Sequence, residues 1–301
     1  MRRAFLTAIC LGLLVGVPGF SGPVGAGTVR GFNPGDAFQD CDICPMMVVV
    51  PSGSFMMGSP QDEPERGDNE GPQRQVTISK PFAVGKFEIT VDQFRAFVEE
   101  TGHSTGNKCF TWEQNIWEER QGRSFLKPGF DQVGSQPVVC VNRDDATAYI
   151  AWLSTRTGEA YRLLSEAEWE YSARAGTATP FSTGARISTD QANFVGDYTY
   201  NGSKKGQYRG KTTAVGSFSA NGFGLHDMHG NVWEWVEDCF GDYKTAPIDG
   251  SAQVAKSCDR VLRGGSWLYT PRSLRSANRD KLQPDNRDST IGFRVARTLT
   301  P

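Results

Sequence analysis

The chain has 301 residues, with 32 lysines and arginines against 34 aspartates and glutamates, which gives a net charge of −2. A balance this close to neutral argues against nucleic acid or an anionic membrane as the main partner. The 34 glycines and 7 tryptophans predict an irregular, loop-rich fold whose core is held by large aromatic rings.

The N-terminal segment has the order of charged and apolar residues that is typical of a secretory signal peptide. Two arginines precede an apolar run over residues 4–17, and small residues follow up to Ala26. The run is shorter than the ~20 residues that a membrane span needs. We therefore expect residues 1–26 to be a signal peptide and residues 27–44 to be an exported linker with a CxxC motif. The mature protein, without a membrane span, is expected to be periplasmic or secreted.

Six cysteines remain after the predicted leader, and an even number in an exported protein predicts disulfides. Fifteen connectivities are possible for six cysteines. We predict sequential pairing because each pair then brackets one segment: Cys41 with Cys44, Cys109 with Cys140, and Cys239 with Cys258. The alternative for the first pair is a redox or metal-binding role, and a local disulfide is the interpretation we prefer.

Short strands are expected at the start of the globular part. The run MMVVVPSGSFMMGS (46–59) is interrupted by Pro, Ser and Gly, which predicts a strand, a turn and a second strand. An acidic loop rich in Pro and Gly follows. The run VTISKPFAVGKFEIT (76–90) then returns to a strand pattern.

Three helices are marked by residues that cap helix ends. Capping residues precede three apolar patterns of helical spacing, and a glycine follows each pattern. The predicted N-caps are Thr90 with Gln93, Asn142, and Ser165 with Glu168, and the predicted ends are Gly102, Gly158 and Gly176. Beyond residue 177 only short strands and glycine-rich turns are expected. The prediction is therefore an α+β fold with low regular secondary structure.

Six sequence blocks resemble a known family. They are MVVVPSGSFMMGS, KFEIT, YRLLSEAEWEYSARAG, NGFGLHDMHGNVWEW, RVLRGGSW and GFRVAR. Their order is similar to that of the formylglycine-generating enzyme family, also called the sulfatase-modifying-factor domain. The resemblance runs from about Pro45 to Arg297. It implies that residues 45–301 form one irregular α+β domain related to C-type lectins, in which calcium holds parts of the structure.

The resemblance also implies two calcium sites. The loop DMHGNVWE matches one of them, and Ca²⁺ prefers oxygen ligands of the kinds that this loop offers. Its expected ligands are Asp227, Gly230, Val232 and Glu234. Without the resemblance, the same loop could be a turn with two solvated acids. The second site is expected at Asn193 and Phe194, but Lys205 or Gly206 stands where the family has an acid.

The segment RGGSWLYTPRSLRSANRD (263–280) corresponds to the catalytic segment of the family. Catalytic members carry two cysteine thiolates here that bind Cu(I), a soft ion that prefers sulfur. In this sequence Tyr269 stands at the first thiol position and Leu274 lies near the second, so we do not expect copper. The candidate catalytic residues that the resemblance leaves are Tyr269, Ser266, Trp233 and Arg279. The alternative is that Trp233 belongs to the core and that the arginines of the segment only pair with acids.

Three functions remain open. Exported family members without both thiols act in maturation, including oxidation of the pyoverdine chromophore precursor of a siderophore, and the leader and the CxxC segment resemble that branch. The first alternative is a non-catalytic, calcium-dependent module of the C-type-lectin type that binds peptide or glycan. The second is an inactive paralogue that binds sulfatase-like chains. The expected partner is accordingly a peptide, an exported protein or a siderophore precursor.

Overall fold

Three helices lie where the capping residues predict them in the computed structural model, which describes residues 31–300. They are α1 Val91–Thr101, α2 Arg143–Thr157 and α3 Glu166–Arg174. Each N-cap side chain accepts a hydrogen bond from the backbone of the third helical residue, as in Thr90 with Gln93. Gly102 and Gly158 end α1 and α2 in the left-handed conformation. The three predicted helices are therefore confirmed, except that α3 is capped by Ala175, one residue before the predicted Gly176.

The remaining regular structure consists of short strands in two larger sheets and two hairpins. The first sheet has the order β1 Ala37–Phe38, β2 Met47–Val50, β5 Phe82–Gly85, β13 Val295–Thr298, β8 Tyr161–Leu163. The second has the order β11 Arg279–Leu282, β10 Arg260–Arg263, β9 Trp233–Cys239, β12 Ile291–Phe293. The hairpins are β3 Gly53–Met57 with β4 Arg74–Ile78, and β6 Lys108–Glu113 with β7 Ile116–Gln121. The irregular α+β fold is thus confirmed.

The N-terminal boundary differs in part from the expected linker. The signal peptide predicted for residues 1–26 lies outside the described residues. Within the expected linker 27–44, β1 pairs antiparallel with β2, and Phe38 packs against the main core. These residues extend the first sheet. No helix within residues 31–300 has the length and apolar character of a membrane span.

The six cysteines of the described chain pair in sequence order. The disulfides join Cys41 to Cys44, Cys109 to Cys140, and Cys239 to Cys258. The prediction of sequential pairing is confirmed. The middle disulfide fixes β6 to the segment that leads into α2.

The four-stranded sheet separates two apolar clusters. Alternate side chains of a strand point to opposite faces of the sheet. Trp233 and Trp235 lie in a cluster with the apolar residues of α2, whereas Val236 and Val261 lie in a second cluster with those of α3. We call these two sides of the sheet the α2 face and the α3 face. This division decides which of the predicted site residues can meet.

A buried ionic network ties residues 59–73 to α3, β10 and β11. Its members are Glu63, Glu70, Glu166, Glu170, Arg174, Arg263, Arg275 and Arg279. Arg275 binds Glu70 at 2.6 Å and Glu63 at 2.7 Å, and none of the three is more than slightly exposed. Burial acts to raise the pKa of Glu70, but hydrogen bonds and the charge of Arg275 hold that pKa below its ordinary value. The network depends on complete pairing, because an unpaired buried charge is costly.

The substitution Arg275→Ala should therefore destabilise the protein strongly. It leaves the buried carboxylates of Glu63 and Glu70 without their cation, and the loss of one partner of a buried pair costs about 3–5 kcal/mol. The measurement is the free energy of unfolding from denaturant titration. Arg95→Ala is the control, because Arg95 pairs with Asp92 at the surface and such pairs contribute less than about 1 kcal/mol. Equal losses in the two variants would contradict the prediction.

Candidate functional site

A tight turn after β10 presents the segment that carries the candidate residues. Gly264 and Gly265 have φ values of 99° and 73°, a conformation that residues with a Cβ rarely adopt. A Cβ on Gly265 would lie 2.7 Å from Leu274 Cδ1 and 2.9 Å from the Ser273 carbonyl oxygen. The glycines therefore allow the chain to reverse closely against the 271–274 turn. Tyr269 follows in this turn, and its backbone N–H donates to the carbonyl of Ser266 at 3.0 Å.

Tyr269 lies on the α2 face beside Trp233. Their ring centroids are 5.3 Å apart at an interplanar angle of 87°, an edge-to-face pair. Tyr269 is half-buried, whereas Trp233 is buried. The Trp233 indole Nε1 is buried and finds no hydrogen-bond acceptor within residues 31–300. A phenol at the edge of the core and an unpaired indole donor are thus brought together.

Two carboxyl groups complete this arrangement, and sequence reasoning identified neither. Burial raises the pKa of Tyr269 to about 12, and the nearby Asp288 and Asp280 act in the same direction, whereas the Trp233 indole acts to lower it. Burial likewise raises the pKa of Asp288 to about 7. One Asp288 oxygen accepts hydrogen bonds from the Thr290 N–H and hydroxyl, both at 2.7 Å. We call Trp233, Tyr269, Asp280 and Asp288 the Tyr269 cluster.

The cluster has the elements of an acid–base site. A carboxyl group with a pKa near neutrality can take up or release a proton at physiological pH. The sequence signal that could have revealed Asp288 is DST (288–290), in which an Asp side chain can bond the N–H two residues ahead. That signal is common in turns, so only the tertiary structure shows that the carboxyl group lies near Tyr269.

Arg279 does not join the cluster. It pairs with Arg263 across the β10–β11 ladder, whereas its neighbour Asp280 pairs with Leu262 of the α2 face. Arg279 therefore points to the α3 face, where its guanidinium binds Glu166 with two hydrogen bonds of 2.7 and 2.6 Å. It also borders a cavity of about 840 Å3 between residues 59–73 and 240–244.

Ser266 occupies a position below the surface. It is fully buried, and its hydroxyl oxygen accepts from the backbone N–H of Leu268 at 3.4 Å. This contact supports the turn that carries Tyr269. Of the four candidate catalytic residues, the structure therefore places Tyr269, Trp233 and Ser266 close together and Arg279 apart.

The described residues do not provide the thiolate donors that copper(I) would need. Every cysteine within residues 31–300 is in a disulfide, so this part of the chain offers no thiolate. Leu274, near the position of the second thiol, is fully buried in an apolar cluster with Phe194 and Tyr200. Copper bound by two thiolates at Tyr269 and Leu274 is therefore incompatible with these residues.

The first expected calcium site fits in part. Asp227 is buried, and its Oδ1 has no hydrogen-bond donor among residues 31–300. Glu234, in contrast, accepts from Arg294 at 2.8 Å and from the Trp169 indole at 2.8 Å. Arg294 thus already supplies the positive charge that Glu234 would otherwise take from an ion. Gly230 and Val232 lie between them, at the start of β9.

The second expected calcium site offers one free oxygen. Asn193 is buried, and its side-chain oxygen also has no donor within the described residues. Its amide nitrogen donates to the carbonyl of Lys211 at 2.9 Å. Phe194 is buried next to it. The residues of both sites are compatible with an oxygen-ligated cation, although no group of three His, Cys, Asp or Glu side chains within residues 31–300 has the geometry of a metal site.

Comparison with known proteins agrees with this architecture. Residues 34–299 match the family model described as "Sulfatase-modifying factor enzyme 1-like domain". The chain belongs to this family. It is 31% identical to the inactive C-alpha-formylglycine-generating enzyme 2 of Mus musculus, over 84% of this chain and 85% of that protein. It is 30% identical to the formylglycine-generating enzyme of the same species, over 85% of this chain and 76% of the relative.

Solved structures extend the comparison. The structure of PvdO from Pseudomonas aeruginosa matches with a TM-score of 0.77 and 43% identity, over 89% of this chain and all of that chain. Treponema denticola variable protein 1 matches with a TM-score of 0.63 at 22% identity, which shows a shared fold alone. The match to PvdO is thus higher in identity than the matches to the two mouse relatives.

The raised pKa of Asp288 predicts a specific pH dependence of stability. A native pKa near 7 against an ordinary value of 3.8 means that the native state retains the proton over this range. The contribution of the protonated Asp288 carboxyl to the free energy of unfolding is therefore complete below about pH 4 and is lost as the pH rises to about 7. At most it amounts to about 4 kcal/mol.

Asp288→Asn tests this prediction, since the amide oxygen can still accept from Thr290. The free energy of unfolding is measured from pH 4 to pH 8 for both proteins. We expect the difference between wild type and variant to shift in favour of the variant as the pH rises. A difference that is independent of pH would show that Asp288 titrates normally.

Proposed function

We propose that this protein is an exported maturation protein of the formylglycine-generating family that oxidises a peptide-type precursor, in particular the precursor of a siderophore chromophore, without copper. The proposal is carried by the observation that Tyr269 and Leu274 stand where the catalytic members have thiolates, and that Tyr269 lies beside Trp233 with Asp288 nearby. The 43% identity to PvdO over nearly the whole chain supports it. Three disulfides are compatible with an oxidising compartment, in agreement with export.

The proposed oxidation removes two electrons and two protons from a C–H and N–H pair of the substrate and forms a C=N bond. Dioxygen accepts both electrons and both protons and becomes hydrogen peroxide. Asp288, in its ionised form, takes the first proton, and Tyr269 lies at the exposed side to contact the substrate. The Trp233 indole N–H acts on the Tyr269 hydroxyl and lowers its pKa, so it can help to position that hydroxyl against the substrate. Ser266 holds the turn, and Arg279 contributes through the ionic network.

The alternative is a protein that binds a peptide or glycan without modifying it. The similarity to the inactive C-alpha-formylglycine-generating enzyme 2 favours this second candidate. A protein that only binds its ligand would need the surface around Tyr269 but not a titrating carboxyl group. The two candidates therefore differ in how they depend on Asp288 and on the Tyr269 hydroxyl.

Removal of the Tyr269 hydroxyl or of the Asp288 charge should slow the proposed oxidation. We expect Tyr269→Phe and Asp288→Asn each to reduce turnover about 100-fold or more, since general acid–base groups contribute roughly that much. The assay incubates the mature protein with the siderophore precursor in air. It records the loss of two hydrogen atoms by mass spectrometry and the hydrogen peroxide formed.

Tyr198→Phe is the matched control, because it removes the same hydroxyl from a tyrosine that is 58% exposed. It should retain wild-type turnover. A copper chelator should leave the rate unchanged. Precursor that binds to the wild-type protein but never changes mass would favour the non-catalytic alternative.

We also propose that calcium supports the fold at Asp227, Gly230 and Val232, with Glu234 as an outer partner through Arg294, and at Asn193 and Phe194. The unpaired buried oxygens of Asp227 and Asn193 motivate this assignment. Calcium would supply the positive charge that these oxygens lack. The ion is structural and takes no part in the proposed oxidation.

Elemental mass spectrometry of the purified mature protein should find about two calcium ions per chain, one for each proposed site, and no stoichiometric copper. Asp227→Ala should lose calcium and unfold more readily. Asp197→Ala, at an exposed control position, should keep the calcium content and the stability of the wild type. For the wild type, calcium at 100 times its Kd should add about 2.7 kcal/mol of stability. A calcium-free protein that is not stabilised by added calcium would rule out this assignment.

A further inference from the structure

The β6–β7 hairpin has one aromatic face that is only partly covered. Gln114 and Asn115 form its two-residue turn with φ values of 54° and 63°, as a type I′ turn requires. The alternation of the strands and the Trp112–Trp117 pairing place Phe110, Trp112 and Trp117 on the same side. We call these three residues the aromatic face. Trp112 is 39% exposed, and the other two are half-buried.

The opposite side of the hairpin is closed by the protein itself. Cys109 is in a disulfide, and Thr111 is fully buried. Glu113 binds Arg123 of the following loop. These contacts fix the hairpin in place and orient the aromatic face outward. Three large rings on a rigid, partly exposed surface differ from the core aromatics of this chain, which are almost completely buried.

The geometry of the rings suits a flat partner. The Phe110 and Trp117 rings are nearly parallel, at an interplanar angle of 24° and a centroid distance of 6.4 Å. Beside them Lys108 and Glu119 neutralise each other at 3.0 Å. The surface is therefore aromatic and locally uncharged. Such surfaces favour planar π-systems, which stack on aromatic rings.

The aromatic face is continuous with the Tyr269 cluster. Phe110 forms a parallel bridge with Asp288. The Phe110 N–H donates to the Arg287 carbonyl at 2.8 Å, and the Ser289 N–H donates to the Phe110 carbonyl at 2.9 Å. Bridged residues project to the same side of a sheet. The side chains of Phe110 and Asp288 thus project to one side, and the charge of Asp288 is near enough to Tyr269 to raise the pKa of its hydroxyl.

We propose that the aromatic face docks a planar aromatic group of the substrate and holds the adjoining atoms at Asp288 and Tyr269. The inference rests on the proposed function and deepens it by naming the chemical class that the site recognises. Trp112 and Trp117 provide the stacking surface. Phe110 connects that surface to the reacting groups. An aliphatic group of similar size would gain less binding free energy, because it cannot stack on the aromatic rings.

The test uses two capped tripeptides, acetyl-Gly-Trp-Gly-amide and acetyl-Gly-Leu-Gly-amide, as probes of the full mature protein. Indole N–H signals of the 7 tryptophans are followed by 1H–15N NMR and assigned by single Trp→Phe variants. We expect the Trp112 and Trp117 signals to shift with the tryptophan peptide and much less with the leucine peptide. Trp112→Ala should weaken binding about two- to tenfold, and Trp112→Phe should restore most of it.

Ile248→Ala is the matched control, since Ile248 is an exposed apolar residue outside the hairpin. It should bind as the wild type does. Equal shifts with both peptides, shifts confined to other tryptophans, or no shift at about 10 mM peptide would overturn the proposal. Folding of each variant is checked by its remaining indole signals.

Failure of this inference is distinguishable from failure of the proposed function. If the probe binds at Trp112 and Trp117 but no precursor is oxidised, the docking surface stands and the oxidation is wrong. If the precursor is oxidised with a rate that depends on Tyr269 but not on Trp112 or Trp117, the oxidation stands and the docking surface is wrong.

Discussion

The pairing of Glu166 and Glu170 with arginines of β10 and β11 is the constraint on which the rest of the structure depends. Helix α3 turns both carboxylates inward, where desolvation makes each charge costly unless a cation meets it. Arg263 and Arg279 supply those cations from β10 and β11. Because Gly264 follows Arg263 directly, the turn that presents Tyr269 starts from the most firmly held point of the sheet. The ionic network thus positions the site without entering it.

The same sheet keeps two kinds of carboxyl group apart. On the α3 face guanidiniums meet the acids, and Arg275 holds the pKa of Glu70 below its ordinary value despite burial. Near Tyr269 on the α2 face, burial raises the pKa of Asp288 to about 7, and Asp280 adds a second negative charge. Arg275 thus fixes the charge of Glu70, whereas burial leaves the proton of Asp288 exchangeable near neutral pH. The α3 face also holds Asp238, whose pKa burial raises to about 7, so it is the position of Asp288 near Tyr269, and not its pKa alone, that makes it an acid–base candidate.

Local signals in the sequence predicted the helices because each cap depends on neighbouring residues, and the order of the cysteines along the chain predicted the disulfides. A capping box such as Thr90 with Gln93 is complete within four positions. Arg279 and Asp280 illustrate what remained hidden. Their opposite directions follow from the phase of β11 against β10, and a shift of one position would exchange them. The role of Asp288 likewise depends on a bridge to Phe110, 178 residues earlier in the chain. Neither the phase of β11 against β10 nor the bridge between Asp288 and Phe110 leaves a local pattern in the sequence.

The packing around Leu274 is that of an apolar residue at the position near the second thiolate. Leu274 completes an apolar cluster with Phe181, Phe194 and Tyr200 and also contacts the turn at Gly265. A cysteine there would be smaller and would leave a cavity, which destabilises a core in proportion to the volume lost. Copper chemistry would therefore need more than a change of two side chains. The core around Leu274 and the rings of Trp233 and Tyr269 thus occupy the region where the two thiolates would stand. This packing agrees with the function proposed above, in which the substrate stacks on aromatic rings and exchanges a proton and is not held through sulfur.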